Sequence, residues 1–204
     1  AKLRNQMRAE IIKLRQRLDA TFIYVTHDQT EAMTLGDRIV IMKDGDMQQI
    51  GTPQQVFNHP KNLFVAGFIG TPQMNLFDGE LIKRGGAYAV RVGEAEIVLS
   101  DDKQKNLADR NTGPQKVIVG VRPEHITLDE KEGSMIEETV DVSEMMGSSV
   151  HLHINVGGKD CIIVAPTLDL DLGGLAAGST VRFTFAQNAV HVFDPETELS
   201  LEHV

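Results

Sequence analysis

Val25-Thr26-His27-Asp28-Gln29-Thr30-Glu31-Ala32 is the stretch of this chain whose residue types and spacing could do chemistry. His27 stands where a short apolar run ends and a helix-start pattern begins. An imidazole there is held on rigid elements and pointed toward the carboxyl end of a strand, where open α/β sheets bind ligands. An imidazole ring nitrogen can donate an N–H, which suits a terminal phosphate. Taken alone, a histidine before a helix is more often a cap or packing residue. Asp28, followed three residues later by Glu31, has the spacing of a capping box. Those two carboxylates therefore read as cap groups rather than catalysts.

The other chemically capable residues read as structural. His151 and His153 alternate with Val150, Leu152 and Ile154, so both fall on one face of a strand. That permits a metal pair but more often marks a solvated face. His125, after Arg122-Pro123-Glu124, reads as a turn residue. Asp129, Asp169 and Asp171 lack the dense oxygen spacing of a calcium loop. Gly157-Gly158-Lys159 is followed by Asp160 and lacks a first glycine at the distance a phosphate loop requires, and G-x-x-x-x-G-K-[ST] occurs nowhere in the sequence. No metal site is expected.

The elements that must position His27 are set by periodicity. Leu3, Met7, Ile11, Leu14 and Leu18 recur at helical spacing and share one face, with a basic face opposite. Thr21 to Thr26 and Arg38 to Met42 are β-branched or apolar runs suited to buried strands. Asp28 starts and Gly36 closes the short helix between them. Lys43-Asp44-Gly45-Asp46 reads as a hairpin turn with Met47 to Ile50 returning. Thr52-Pro53 starts a further helix ending near Asn58-His59-Pro60, and Asn62 caps an apolar segment from Leu63 to Ile69. Gly70-Thr71-Pro72 is the expected domain boundary.

Beyond it the pattern is all β. Leu76 to Lys83, Ala87 to Val92, Ala95 to Leu99, Lys116 to Val121, Ile136 to Met145, Val150 to Val156, Asp160 to Ala165, Thr180 to Phe185 and Ala189 to Phe193 are short, β-prone and separated by turn residues. Such a series predicts a small barrel or sandwich. Residues 101 to 114 read as a solvated loop with a helical turn.

Composition narrows the function classes. The 204 residues are 41% hydrophobic and 24% charged, ordinary proportions for a folded globular chain. The net charge is −9, yet residues 1 to 18 carry +5, which leaves an acidic body. An acidic body without Trp and with two Tyr disfavours nucleic acid as a partner. The single cysteine, Cys161, lies in the apolar run Cys161-Ile162-Ile163-Val164-Ala165 and suits a reducing compartment. No apolar run reaches the roughly 18 residues that span a bilayer.

The string Phe22-Ile23-Tyr24-Val25-Thr26-His27-Asp28-Gln29-Thr30-Glu31-Ala32-Met33-Thr34, with Asp37-Arg38-Ile39-Val40-Ile41-Met42, Gly45 and Gly51-Thr52-Pro53, resembles the switch-histidine region of ABC importer ATPases. Ala1-Lys2-Leu3-Arg4 looks like the segment just after the D-loop in that family. Phe64-Val65-Ala66-Gly67-Phe68-Ile69-Gly70-Thr71-Pro72-Gln73-Met74-Asn75 and Val119-Gly120-Val121-Arg122-Pro123-Glu124-His125-Ile126 resemble signatures of the maltodextrin and multiple-sugar branch, and Glu144-Met145-Met146-Gly147 looks like a recurring turn of its regulatory domains.

The resemblance implies an α/β fragment over residues 1 to 70, the C-terminal part of an ABC nucleotide-binding domain, followed over 71 to 204 by an all-β OB-like regulatory domain of TOBE type. It implies that His27 contacts the γ-phosphate and helps organise the attacking water. ATP and Mg would serve the full-length protein, with none held tightly by this chain, because the phosphate loop, signature and Walker B segments would precede Ala1. The implied partners are a second copy of the subunit, membrane-spanning permease subunits and a solute-binding protein, at the cytoplasmic face of the plasma membrane. The alternative is a stand-alone OB-like sensor of an oxyanion or sugar, for which Arg122 is the candidate cation.

Overall fold

A computed structural model of the chain describes residues 2–18, 20–128, 134–168 and 172–202. Two compact units divide it, one ending at Lys61 and the other beginning at Asn62.

The first unit contains α1 (Lys2–Leu18), α2 (Gln29–Leu35), β1 (Ile39–Lys43), β2 (Asp46–Gly51) and α3 (Pro53–Asn58). The last turn of α1 is tied down by Arg15, which donates to the Leu35 carbonyl at 2.6 Å and pairs with Asp37 at 3.2 Å. β1 and β2 form an antiparallel hairpin closed by Asp44 and Gly45, both at positive φ, the geometry that matches the twist of the flanking strands. α3 starts with a full capping box: the Gln55 amide donates to Thr52 Oγ1 and the Thr52 amide donates to Gln55 Oε1. The buried Gln49 side chain then fastens the exit of this unit, donating to the His59 carbonyl and accepting from the Lys61 amide, each at 2.9 Å.

Two expected buried strands differ here. Residues 21–26 form no strand, and Ile23 and Val25 are each 91% exposed. A strand needs at least one hydrogen-bonded neighbour, and among the described residues no strand ladders with residues 21–26. The Arg38–Met42 run does form β1, but Ile39 and Ile41 are buried while Val40 and Met42 are exposed. A lone hairpin can shield one face only.

The second unit holds α4 (Leu63–Phe68), β3 (Asn75–Arg84), β4 (Ala87–Val92), β5 (Ala95–Val98), α5 (Asp101–Asp109), β6 (Gln115–Val121), β7 (Ile126–Thr127), β8 (Ile136–Met145), β9 (Ser149–Val156), β10 (Lys159–Pro166), β11 (Thr180–Phe185) and β12 (His191–Phe193). They make two antiparallel five-stranded sheets, ordered β12-β6-β3-β4-β5 and β10-β9-β8-β11-β7. Each of the nine expected strands is present, and the two-residue β7 is an addition too short to show periodicity. The expected loop after Ser100 is instead α5, whose inward face carries Leu107 and Lys103. Its polar composition concealed an amphipathic helix, with Asp101 and Asp102 in the first turn where the helix dipole favours carboxylates.

The main apolar core draws on both sheets. Phe77, Leu81, Val90, Val119, Leu152, Ile163 and Phe183 are members, and the Phe77 ring stacks on Phe185 at 5.1 Å. Each such side chain contributes about 1.5–3 kcal/mol by leaving water. Gly120 has a packing reason: a Cβ there would stand 2.6 Å from the Met74 sulfur. Asn75 links the sheets by acting as a strand neighbour, its side-chain amide donating to the Ile162 carbonyl and accepting from the Ile162 amide, each at 2.8 Å. Gln104 of α5 treats Tyr88 of β4 the same way, at 2.6 and 2.7 Å.

Candidate functional site

The His27 corner is built by hydroxyls and carboxylates on either side of it. Asp28 is the N-cap of α2 and accepts from the Glu31 amide at 3.1 Å, as its spacing predicts. Glu31 does something other than a capping box. Its Oε2 accepts from Thr26 Oγ1 at 2.7 Å and from the Tyr24 hydroxyl at 3.2 Å, so the helix reaches back to the extended segment before the histidine. Thr26 Oγ1 in turn accepts from the Asp28 amide at 3.0 Å. These bonds span both flanks of His27 and fix the backbone that carries it, while the imidazole is left exposed.

Charge is set by the same contacts. The Glu31 amide holds the Asp28 carboxyl below the usual carboxylate range, against a smaller opposing effect of burial. Local desolvation, reinforced by the Glu31 charge, raises the Tyr24 hydroxyl. Arg4 approaches Asp28 at 3.7 Å, but it is exposed and adds little. An exposed imidazole on a fixed corner can reach a phosphate oxygen without reorganising its support. Thr26 and Tyr24 escaped sequence reasoning. Their signal was two hydroxyls upstream of a first-turn glutamate, visible only once the chain is folded back at Asp28.

In the second unit, His151 and His153 share one face, and Glu144 of β8 completes it, 3.1 Å from His153 Nε2. Among the described residues no group of three or more His, Cys, Asp or Glu is placed to hold a metal. His125 lies in the 3-10 turn Pro123–His125, its amide on the Arg122 carbonyl at 2.9 Å. Asp129, Asp169 and Asp171 lie outside the described residues. Arg122 is 1% exposed, and its Nη1 donates to the Ile69 carbonyl at 2.7 Å. Burial brings the guanidinium down to about 10, so it stays charged at neutral pH. A cation so enclosed is closed to an oxyanion from solvent, which removes the feature that the sensor alternative rested on.

Sequence missed the Lys103–Glu202 pair as well. Lys103 Nζ sits 2.6 Å from Glu202 Oε2, both side chains are nearly inaccessible, and 99 positions separate them. Burial holds the Glu202 carboxyl above its usual range although the Lys103 charge pulls it down. No local pattern announces such a pair.

The model of the MalK OB fold domain matches residues 70–126, and that of the TOBE domain matches residues 119–193. The oligosaccharides import ATP-binding protein MsmX of Bacillus subtilis is 42% identical over 207 residues, covering 98% of this chain and 54% of its own length. The chain is a relative of ABC transporter ATP-binding proteins. An ABC transporter ATP-binding protein of Escherichia coli, YcjV, is 41% identical over 98% of the chain and 54% of its own length. The sn-glycerol-3-phosphate import ATP-binding protein UgpC of a Ruegeria strain is 40% identical over 97% and 51%. The chain thus spans about half the length of these curated relatives. The two matched ranges together take in both sheets. Among solved structures, the molybdate-bound cytoplasmic protein ModG aligns with 59% of the chain and 96% of its own, at 14% identity and a TM-score of 0.48.

Proposed function

We propose that the chain is the C-terminal portion of the ATPase subunit of an ABC importer that takes up sugars, and that His27 serves ATP hydrolysis in the full-length subunit. The supporting observation is kinship with import ATP-binding proteins along nearly the whole chain, including the segment around His27. By sequence the nucleotide-binding portion then runs to about residue 70 and the regulatory domain from 71 to 204, while the compact unit that holds the regulatory domain already begins at Asn62. The exposed apolar stripe of α1 and the exposed run Phe22–Val25 favour this reading, because surfaces of that kind belong inside a larger sheet domain. Carbohydrate is the cargo class in the name of MsmX.

The donor chemistry of the corner fits a triphosphate. His27 offers an imidazole N–H to a terminal phosphate oxygen, and Thr26, Asp28 and Glu31 hold its backbone still. ATP with Mg supplies the phosphoryl group in the full-length protein. The chain's own contribution is orientation, the main lever in phosphoryl transfer. None of its segments supplies a phosphate loop, so the isolated chain binds ATP weakly and does not turn it over. A second copy, permease subunits and a solute-binding protein complete the assembly, at the cytoplasmic face of the plasma membrane.

The decisive experiment replaces His27 by Ala in the full-length subunit. ATP turnover should fall about 10²-fold, the scale on which a misplaced group slows a positioned reaction, with nucleotide binding retained. Unchanged turnover would sink the assignment of His27. Turnover by the 204-residue chain itself would sink the claim that it is inactive. Light scattering should find the chain as a dimer at tens of micromolar, roughly the range of weak self-association, and a monomer there argues against pairing through the β-rich unit.

A further inference from the structure

Sequence marks Gly70-Thr71-Pro72 as the linker, and the MalK OB model also begins at residue 70. The contacts around α4 point elsewhere. We propose that Arg122 is a latch that makes α4 part of the second unit, so that residues 62–69 and the two sheets move as one body.

Three sets of contacts hold the helix. At its start the Leu63 amide donates to the Glu198 carbonyl at 2.9 Å, and Asn62 bridges to Leu199. Along its length Ala66 is buried against Met74 and Phe193. At its end the Arg122 guanidinium takes the carbonyl of Ile69, the C-cap residue, at 2.7 Å. Terminal helix carbonyls lack intrahelical partners and carry the negative end of the dipole, so a buried cation is well suited to fix them.

Gly70 is what lets the guanidinium in. It sits at φ +120, and a Cβ there would stand 2.7 Å from Arg122 Nη1 and 3.1 Å from the Pro72 carbonyl. On the other side of the junction, Gln49 fastens His59 and Lys61 to the first unit. Chain fastened to one unit and chain fastened to the other therefore meet at the Lys61-Asn62 peptide. Gly70-Thr71-Pro72 is a locked corner inside the second unit.

Hydrogen exchange read by mass spectrometry on the 204-residue chain tests this. Arg122→Ala should speed exchange of the amides of residues 63–69 by about tenfold or more while β3, β6 and β9 keep their protection, since local opening differs from global unfolding. Gly70→Ala should reproduce the same local loss by displacing the guanidinium. The double variant should be little worse than either single one, the signature of residues acting through one contact. Arg122→Lys should restore part of the protection. The latch is overturned if residues 63–69 keep their protection in both single variants, if both lose protection throughout the second unit, or if the two effects add.

Discussion

The two units treat apolar surface in opposite ways. In the first, Ile23 and Val25 stand in solvent and the hairpin β1–β2 shields one face only. In the second, β-strands of similar composition close on a shared core in which Val90, Val119, Leu152 and Ile163 are wholly buried. Composition alone does not separate the two. What differs is whether the chain itself supplies the neighbours. Every strand of the second unit has a partner within it, whereas the segment before His27 is held by Thr26, Tyr24 and Glu31 rather than by a ladder. Hence the second unit is expected to carry the stability, and the first to carry a positioned but incompletely housed chemical group.

The contrast is broken hardest at the buried ion pair. Lys103→Met leaves the Glu202 carboxylate alone in the interior and should cost about 3–5 kcal/mol in urea unfolding of the second unit at neutral pH. The pH dependence has a definite sign. A carboxyl raised above its unfolded value binds its proton more tightly when folded, so the loss should shrink as pH falls toward the ordinary carboxylate range of about 4.3. The double change Lys103→Met with Glu202→Leu should recover most of the stability. A loss that grows on acidification would refute this account of the pair.

Next comes the link between sheets. Asn75→Ala removes both hydrogen bonds to Ile162 at a buried position and should cost about 1–3 kcal/mol, read from the denaturant midpoint with Cys161 as reporter. Cys161 is buried and its thiol is pushed up to about 12, so a thiol reagent at neutral pH should modify it only as the second unit opens. Rapid labelling of the native chain would show that the core breathes. In the first unit, Thr52→Ala should cost about 1 kcal/mol through the lost capping box, seen as faster exchange in α3 alone. Smallest of all, Ile23→Thr and His27→Ala should leave the unfolding midpoints unchanged. A clear loss from Ile23→Thr would mean that the segment is covered in solution, and the contrast between the units would fail.

Local rules made much of this legible. Asp28, Thr52 and Asn62 cap the helices that their positions announce, and the turn at Asp44-Gly45 joins the strands it should. Short β-prone runs bounded by turn residues located the nine strands, and strands such as β9 and β10 also alternate because one face is covered. Non-local chemistry stayed hidden. Lys103 and Asp101-Asp102 made α5 look like a loop, since burial of a lysine depends on a glutamate almost a hundred residues away. Arg122 could be seen ending an apolar run, but not that it serves the carbonyl of Ile69. At the candidate site the histidine and its cap were visible, while the reach of Glu31 back to Tyr24 and Thr26 was not, because it depends on how the chain turns.

Asn75 has a further consequence that Gln104 does not share. Each presents a carboxamide to a strand residue: Gln104 serves Tyr88 in β4, inside its sheet, whereas Asn75 serves Ile162 in the edge strand β10 and saturates a donor and an acceptor that a passing chain could otherwise use. Unsaturated edges are templates for aggregation. Asn75 thus acts as a stopper against fibril-like growth, and replacing it trades colloidal solubility as well as stability.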